Sequence, residues 1–405
     1  MTLPNNEQSL GLYVHIPWCV QKCPYCDFNS HNLKGGMPES EYVSHVLDDL
    51  SADLDLVRRS DGSLREVSTI FIGGGTPSLL SVDAMARLLQ GIKQRMPVKI
   101  GAEITMEANP GTVEADKFVG FAEAGITRIS VGVQSFNQKQ LSALGRIHDS
   151  QQAVSAIELA SSLNIRSFNL DLMHGLPGQS IDDAMEDLEQ AIALNPPHLS
   201  WYQLTIEPNT SFHSKPPTLP DDDVLWEIQE QGHAMLAKAG YLQYEISAYS
   251  KPGHQCQHNL NYWRFGDYLG IGCGAHGKIS RPSEVSGLSE VSRLSASAKS
   301  SLTIQRTVKV KHPKGFMDLT KPYLDKIIDV EHDDLAFEFF MNRFRIFEVC
   351  QKSEFQRCTG TELSELNKQH IEKAVAMGLL NESPDAWQVT DLGKRYLNSL
   401  LDLFV

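Results

Sequence analysis

Short apolar runs alternate with helical patterns along this 405-residue chain, and no other feature constrains its fold as much. Strand candidates fall at Leu12–Ile16, Ser68–Ile72, Ala102–Met106, Arg128–Val133, Arg166–Leu172 and His198–Thr205. Helical periods lie between them over Val82–Arg95, Val113–Ala124, Gln151–Leu163 and Ile181–Leu194. An earlier helix carries Val43, Val46, Leu47, Leu50, Leu54 and Val57 on its apolar positions, with Ser40 as its expected cap. A strand, a helix and a second strand in succession return in parallel with a right-handed crossover. Such units predict an α/β fold, a partial (β/α)6-type barrel, with a doubly wound open sheet as the alternative.

Barrels of this kind gather their chemistry at the C-terminal ends of the strands. Here those ends are polar or glycine-rich in succession. Gly73-Gly74-Gly75-Thr76-Pro77 follows the second strand, Glu107-Ala108-Asn109-Pro110 the third and Gln134-Ser135 the fourth. Asp171 and the turn Gly175-Leu176-Pro177-Gly178 close the fifth. One glycine-rich loop is usually only a turn, but such loops at successive strand ends mark a site. After the first strand comes Cys19-x3-Cys23-x2-Cys26. Three soft thiolates from one short loop can hold three corners of an iron–sulfur cube and leave the fourth iron open. A structural zinc site is the competing reading, with His15 or His31 as fourth ligand, although no second CxxC or HxxxH pair follows at zinc-finger spacing. A disulfide would leave one of the three cysteines odd and suits a secreted chain.

Composition narrows the setting. The formal net charge of −14 disfavours nonspecific binding to nucleic acid or anionic lipid, since both would repel the chain. The first residues show neither a basic region nor an apolar run, so no signal peptide is expected. No stretch reaches the roughly 18 apolar residues of a membrane span. Cys256, Cys273, Cys350 and Cys358 are scattered without scaffold-like spacing. The expectation is a reduced, cytoplasmic chain, a compartment compatible with a thiolate-bound cluster.

Three regions are expected: residues 1–280 as the barrel with a following segment, 281–304 as a flexible insertion, and 305–405 as a C-terminal, mainly helical cap. Eight serines and few large apolar side chains between Arg281 and Thr303 suggest a solvated segment. Leu335, Phe339, Phe340, Phe344 and Phe347 form a helical stripe that reads as core. The last segment, Glu362–Val405, has a winged-helix-like pattern of helices and a hairpin around Asn381–Val389. It carries seven acidic against four basic residues, so a phosphate backbone is not its partner.

A cubane cluster with one uncoordinated iron can chelate the amino and carboxylate groups of S-adenosylmethionine, and an electron from it can then cleave the sulfonium to a 5′-deoxyadenosyl radical. The protein supplies orientation and a dry site. Glu107 and Asp171 are suited to accept hydrogen bonds from ribose hydroxyls or an ammonium, helix capping being their plainer role. With Tyr13-Val14-His15-Ile16-Pro17 before it, the cysteine loop resembles the radical S-adenosylmethionine superfamily. Within that superfamily the chain is similar to the oxygen-independent coproporphyrinogen III oxidase group. The motifs are the glycine loop at Gly73, Glu107-Ala108-Asn109-Pro110-Gly111, Gly132-Val133-Gln134-Ser135-Phe136, Gly145-Arg146 and Asp171-Leu172-Met173-His174-Gly175-Leu176-Pro177. The resemblance implies a [4Fe-4S] cluster on Cys19, Cys23 and Cys26. It also implies S-adenosylmethionine contacts from Tyr13, Gly74, Gly75, Thr76, Glu107, Gln134, Arg146 and Asp171.

Two departures from the oxidase stand out. That enzyme has another cysteine two residues beyond the third ligand, where this chain has Phe28. It also has a longer segment before its cysteines, whereas 18 residues precede Cys19 here. Both argue against decarboxylation of coproporphyrinogen III, so no residue is given a catalytic role and enzymatic status stays open. His258-Asn259-Leu260-Asn261-Tyr262-Trp263 resembles, as HNxxYW, the signature of a haem-chaperone branch of the group. An imidazole can ligate haem iron, and Tyr262 and Trp263 can flank a flat macrocycle. A satisfied polar residue in a loop is the plainer role for His258. The branch implies haem as a third cofactor, haem-accepting apoproteins (respiratory ones among them) as partners, a small redox protein as electron donor and transient membrane-side contact. A dimer is left open. The alternative function is an oxygen-independent coproporphyrinogen III dehydrogenase working through a 5′-deoxyadenosyl radical.

Overall fold

Along β1 (Leu10–Ile16) successive side chains point to opposite faces of the sheet. Leu10, Leu12, Val14 and Ile16 join a large apolar core, whereas Gly11, Tyr13 and His15 face the other way. The same alternation repeats in the following strands and produces an apolar outer layer under helices and a polar interior. The computed structural model describes residues 9–111, 115–283 and 301–405. The barrel proceeds through α1 (Glu39–Asp53), β2 (Val67–Gly74), α2 (Val82–Arg95), β3 (Val98–Ala108), α3 (Phe118–Ala124), β4 (Arg128–Gln134), α4 (Ser150–Ser162) and β5 (Ser167–His174). It continues with α5 (Ile181–Ala193), β6 (His198–Gln203), α6 (Asp222–Lys238), β7 (Leu242–Glu245), β8 (Ala248–Ser250), α7 (Gln257–Trp263) and β9 (Asp267–Ile271).

One sheet holds these strands in the order β9-β1-β2-β3-β4-β5-β6-β8-β7, parallel from β9 to β6. This is the expected α/β architecture of a partial barrel. Inward-facing Thr69, Glu103, Thr105, Arg128, Ser130, Asn169 and His198 are buried, while Ile70, Ile104, Ile129, Leu170 and Leu199 fill the outer layer. A polar barrel interior is costly unless its groups are paired, so it points to ligand chemistry rather than stability.

Three antiparallel strands extend the sheet beyond β9: β10 (His276–Pro282), β11 (Leu302–Lys309) and β12 (Leu324–Asp329). Buried ion pairs tie them to the barrel. Lys309 on β11 reaches Asp49 and Asp53 of α1 at 2.5 and 2.6 Å, and Lys278 on β10 reaches Asp267 of β9 at 3.0 Å. The boundary expected between residues 304 and 305 therefore falls inside a strand. Most of the serine-rich segment, residues 284–300, lies outside the described residues, but its ends at Arg281–Pro282 and Leu302–Ile304 are paired strand. Helix α1 begins one residue before its expected cap, and no side chain caps it. Ser81, not Ser40, is the capping serine of this region, accepting from the Ala84 amide at the start of α2.

The C-terminal unit packs α8 (Leu335–Arg343), α9 (Glu365–Ala376) and the hairpin of β13 (Leu380–Glu382) with β14 (Ala386–Val389) around its own core. Leu335, Phe339, Phe340 and Phe344 are buried there, as the stripe predicts, whereas Phe347 lies past the end of α8 and is only partly buried. Among the described residues, no helix is long and apolar enough to cross a membrane.

Candidate functional site

The cysteine loop leaves β1 and is held at both ends. Trp18 and Cys19 pair in parallel with His31 and Asn32, and the Cys26 amide donates to the Cys23 carbonyl at 3.1 Å. The glycine loop after β2 is stitched to the same segment. Gly75 N–H donates to the Ile16 carbonyl at 2.7 Å, and Thr76 N–H to the Trp18 carbonyl at 2.8 Å. These bonds explain the glycines. A Cβ on Gly75 would lie 2.5 Å from the Trp18 carbonyl oxygen, and one on Gly73 2.9 Å from Glu107 Oε2. Gly74, at φ 109°, adopts a conformation that side chains avoid, and its Cβ would enter the His15 ring. The crowding that forbids side chains comes from the protein's own packing.

Cys19, Cys23 and Cys26 are free, half-buried thiols lining one cavity of about 1030 Å³. Of the eight positions expected to contact S-adenosylmethionine, Gly74, Gly75, Thr76, Glu107, Gln134, Arg146 and Asp171 line that cavity as well. Tyr13 lies beneath them. Its hydroxyl bonds His15 Nδ1 at 3.0 Å, and burial and then the Glu107 charge raise its pKa. Glu107 accepts from the Gly74 amide at 3.1 Å. Burial, reinforced by the charge of Asp171, pushes its carboxyl up to about 7. Asp171 is also raised by burial, and it accepts from Ser130 at 2.9 Å and Asn169 at 2.8 Å. Gln134 takes φ 72°, an uncommon value for a side-chain-bearing residue, and its Oε1 accepts from the Tyr202 hydroxyl at 2.9 Å.

Arg146 joins the strand ends to the cysteine loop. One nitrogen donates to Asn109 Oδ1 and to the Gly132 carbonyl, both at 2.7 Å, and another points to Cys23 Sγ at 3.7 Å. Its Nε is buried without a partner. An orphaned guanidinium nitrogen and three thiols on one cavity fit a cluster with a polar ligand beside it. Burial raises the Cys19 and Cys26 thiols, so loading a metal would release protons. Among the described residues, no trio of His, Cys, Asp or Glu side chains converges on a single-ion position. A lone zinc ion would need its ligands within about 2.3 Å of one point, whereas a cluster spreads them over separate irons.

His258 is placed elsewhere. It sits on α7, which closes the barrel at the end opposite the cysteine loop, and it is 2% exposed. Its Nδ1 pairs with Thr69 Oγ1 at 2.9 Å and its amide with Glu103 Oε1 at 3.1 Å, while its Nε2 is buried without a partner. Burial lowers its pKa to about 3, so the ring is neutral. From the HNxxYW segment Asn259 and Trp263 line the cavity and His258 does not. Sequence reasoning missed Asn109 as a link between Thr76 and Arg146, and it missed Tyr202 as the partner of Gln134. Asn109 stood within a motif already singled out; Tyr202 had no local signal.

Fold and site together define a radical S-adenosylmethionine protein. Residues 13–191 match the radical SAM superfamily and residues 330–396 the HemN C-terminal domain. Heme chaperone HemW of Escherichia coli (strain K12) is 59% identical over 396 residues, 98% of each chain. Heme chaperone HemW of Haemophilus influenzae is 54% identical over the same span. Mouse radical S-adenosyl methionine domain-containing protein 1, mitochondrial, is 36% identical over 66% of this chain and 60% of its own. The solved coproporphyrinogen III oxidase (HemN) from Escherichia coli superimposes with a TM-score of 0.79 over 98% of this chain and 90% of that one. At 20% identity the likeness shows the fold alone. The chain belongs to the heme chaperone HemW family of radical SAM proteins.

Proposed function

We propose that this protein binds haem and passes it to haemoprotein acceptors, with a [4Fe-4S] cluster on Cys19, Cys23 and Cys26 and S-adenosylmethionine beside it. The observation that carries the reading is near-full-length similarity to relatives named heme chaperone HemW. Phe28 supports it: a phenyl ring, 58% exposed, stands where the oxidase group has a further cysteine.

When bound, the cluster supplies an open iron for the amino and carboxylate groups of S-adenosylmethionine and an electron for its sulfonium. The chain's own residues supply the rest. Gly74, Gly75 and Thr76 form the wall at the methionine end, and Glu107 and Asp171 offer acceptors to an ammonium or to ribose hydroxyls. Arg146, through Asn109 and Gly132, fixes the cysteine loop against β3 and β4. His258 is the proposed haem ligand of the motif. Its Nε2 is unpartnered yet enclosed, so ligation requires α7 to leave the barrel floor and release Thr69 and Glu103. The setting is the cytoplasm, with a small redox protein as electron donor.

The test is transfer. Haemin-loaded protein is mixed with an apo-haemoprotein, and the Soret band is followed as haem changes partner. Movement of haem faster than from free haemin supports the chaperone reading; retention, or a rate equal to that of free haemin, contradicts it. Loss of the haem complex in His258→Ala supports the ligand, and unchanged binding removes it.

A further inference from the structure

The same cavity has a second end, away from the cysteine loop, formed by Asn259 and Trp263 of α7, Glu245, and Arg345 just beyond α8. The cavity of about 1030 Å³ is continuous from the cysteine loop to this end. Arg345 lies 5.5 Å from the centre of the Trp263 ring. Its Nε donates to the Met341 carbonyl at 3.1 Å, and its two terminal nitrogens have no acceptor among the described residues. The charge of Glu245 favours it, yet the two form no ion pair, and burial, the larger effect, depresses the Arg345 pKa. Lys394 and Arg395 also line the cavity but are already engaged, with Asp391 at 2.8 Å and Glu230 at 3.0 Å.

A half-buried guanidinium braced against an indole, with its planar fork unused, matches a carboxylate in shape and charge. Its terminal nitrogens stay open to the cavity, and a ligand carboxylate would supply the two charge-assisted hydrogen bonds that the described residues do not make. We propose that this end of the cavity is a carboxylate subsite anchored by Arg345, which captures a propionate of a tetrapyrrole lying against Trp263. The proposal rests on the haem-binding reading above but not on His258 as the iron ligand: Arg345 and Trp263 already face the cavity, so a propionate can dock there before α7 moves.

The experiment compares haemin with haem dimethyl ester, in which both propionates are blocked, by equilibrium titration of wild type, Arg345→Met and Arg345→Lys. Wild type is expected to prefer haemin by about tenfold. Arg345→Met should lose that preference by weakening haemin alone, and Arg345→Lys should restore part of it. S-adenosylmethionine binding, unchanged throughout, reports that each variant is folded. Equal wild-type affinity for haemin and ester overturns the subsite without using any variant. So does an undiminished preference in Arg345→Met. Failure of wild type to bind haemin at all overturns the haem-binding reading, and the subsite with it.

Discussion

At the cysteine end of the barrel, the side chains assigned to the cavity wall come from a strand or from the loop just after it, except Arg146, which follows the short helix Gln138–Ala143, and neighbouring loops hydrogen-bond to one another. At the α7 end the wall is drawn from residues 245, 263, 345 and 394, brought together only because the C-terminal unit packs under the barrel. The first end is crowded and pre-formed: glycines meet carbonyls, and Arg146 is fully committed except at Nε. The second end is looser, with an uncommitted Arg345 and a buried histidine that must be uncovered to act. On the proposed function, the crowded end would hold a resident cofactor and the looser end a ligand that comes and goes.

Separating the two ends gives the largest expected effect. Cys23→Ser should abolish the iron–sulfur absorbance and most bound iron and sulfide after anaerobic reconstitution, while haemin titration is unchanged; joint loss of both would break the comparison. His258→Ala comes next. Removing a fully buried ring that pairs with Thr69 should cost about 2–4 kcal/mol in denaturant unfolding. A neutral effect would mean that α7 does not rest on the barrel floor. Gly75→Ala should cost about 1–3 kcal/mol and weaken S-adenosylmethionine binding, because its Cβ meets the Trp18 carbonyl. Full retention of both would show that the glycine loop is not held as described.

The smallest effect is a pH profile. Glu107 has a folded pKa raised to about 7 from an ordinary 4.5, so folding favours its neutral form. That stabilisation is complete below about pH 4.5 and is lost as the pH rises through about 7. Asp49, Asp187 and Glu245 shift in the same direction, so the difference between wild type and Glu107→Gln isolates Glu107. Binding of S-adenosylmethionine should run the opposite way, since its ammonium prefers the carboxylate. Affinity should fall roughly fivefold from pH 7 to pH 6 and become flat in Glu107→Gln. A flat wild-type profile would remove Glu107 from the contact.

Legibility in the sequence follows the same division. Period-two and period-3.6 patterns reveal strands and helices whose burial is set by near neighbours, so all six expected strands are present and Val82–Arg95 is recovered at both ends. The cysteine triad and strand-end motifs are local strings, and the fold brings them to one cavity. Arg345 is unremarkable in sequence, and its meaning comes from Trp263, 82 positions earlier. Likewise the short strands β7 and β8 and the extension β10–β12 depend on cross-strand partners and on buried pairs such as Lys309 with Asp49, which no local window contains. His258 shows the other difficulty. A motif can name a residue without saying that the fold turns it inward.

The measurement that bears most directly on the central claim is a pair of anaerobic incubations of the reconstituted protein. One is a titration with haemin; the other supplies coproporphyrinogen, S-adenosylmethionine and a reductant. A saturable haemin complex with no protoporphyrinogen formed is the predicted result. Accumulation of protoporphyrinogen would contradict it and return the chain to the decarboxylating chemistry of its structural relative.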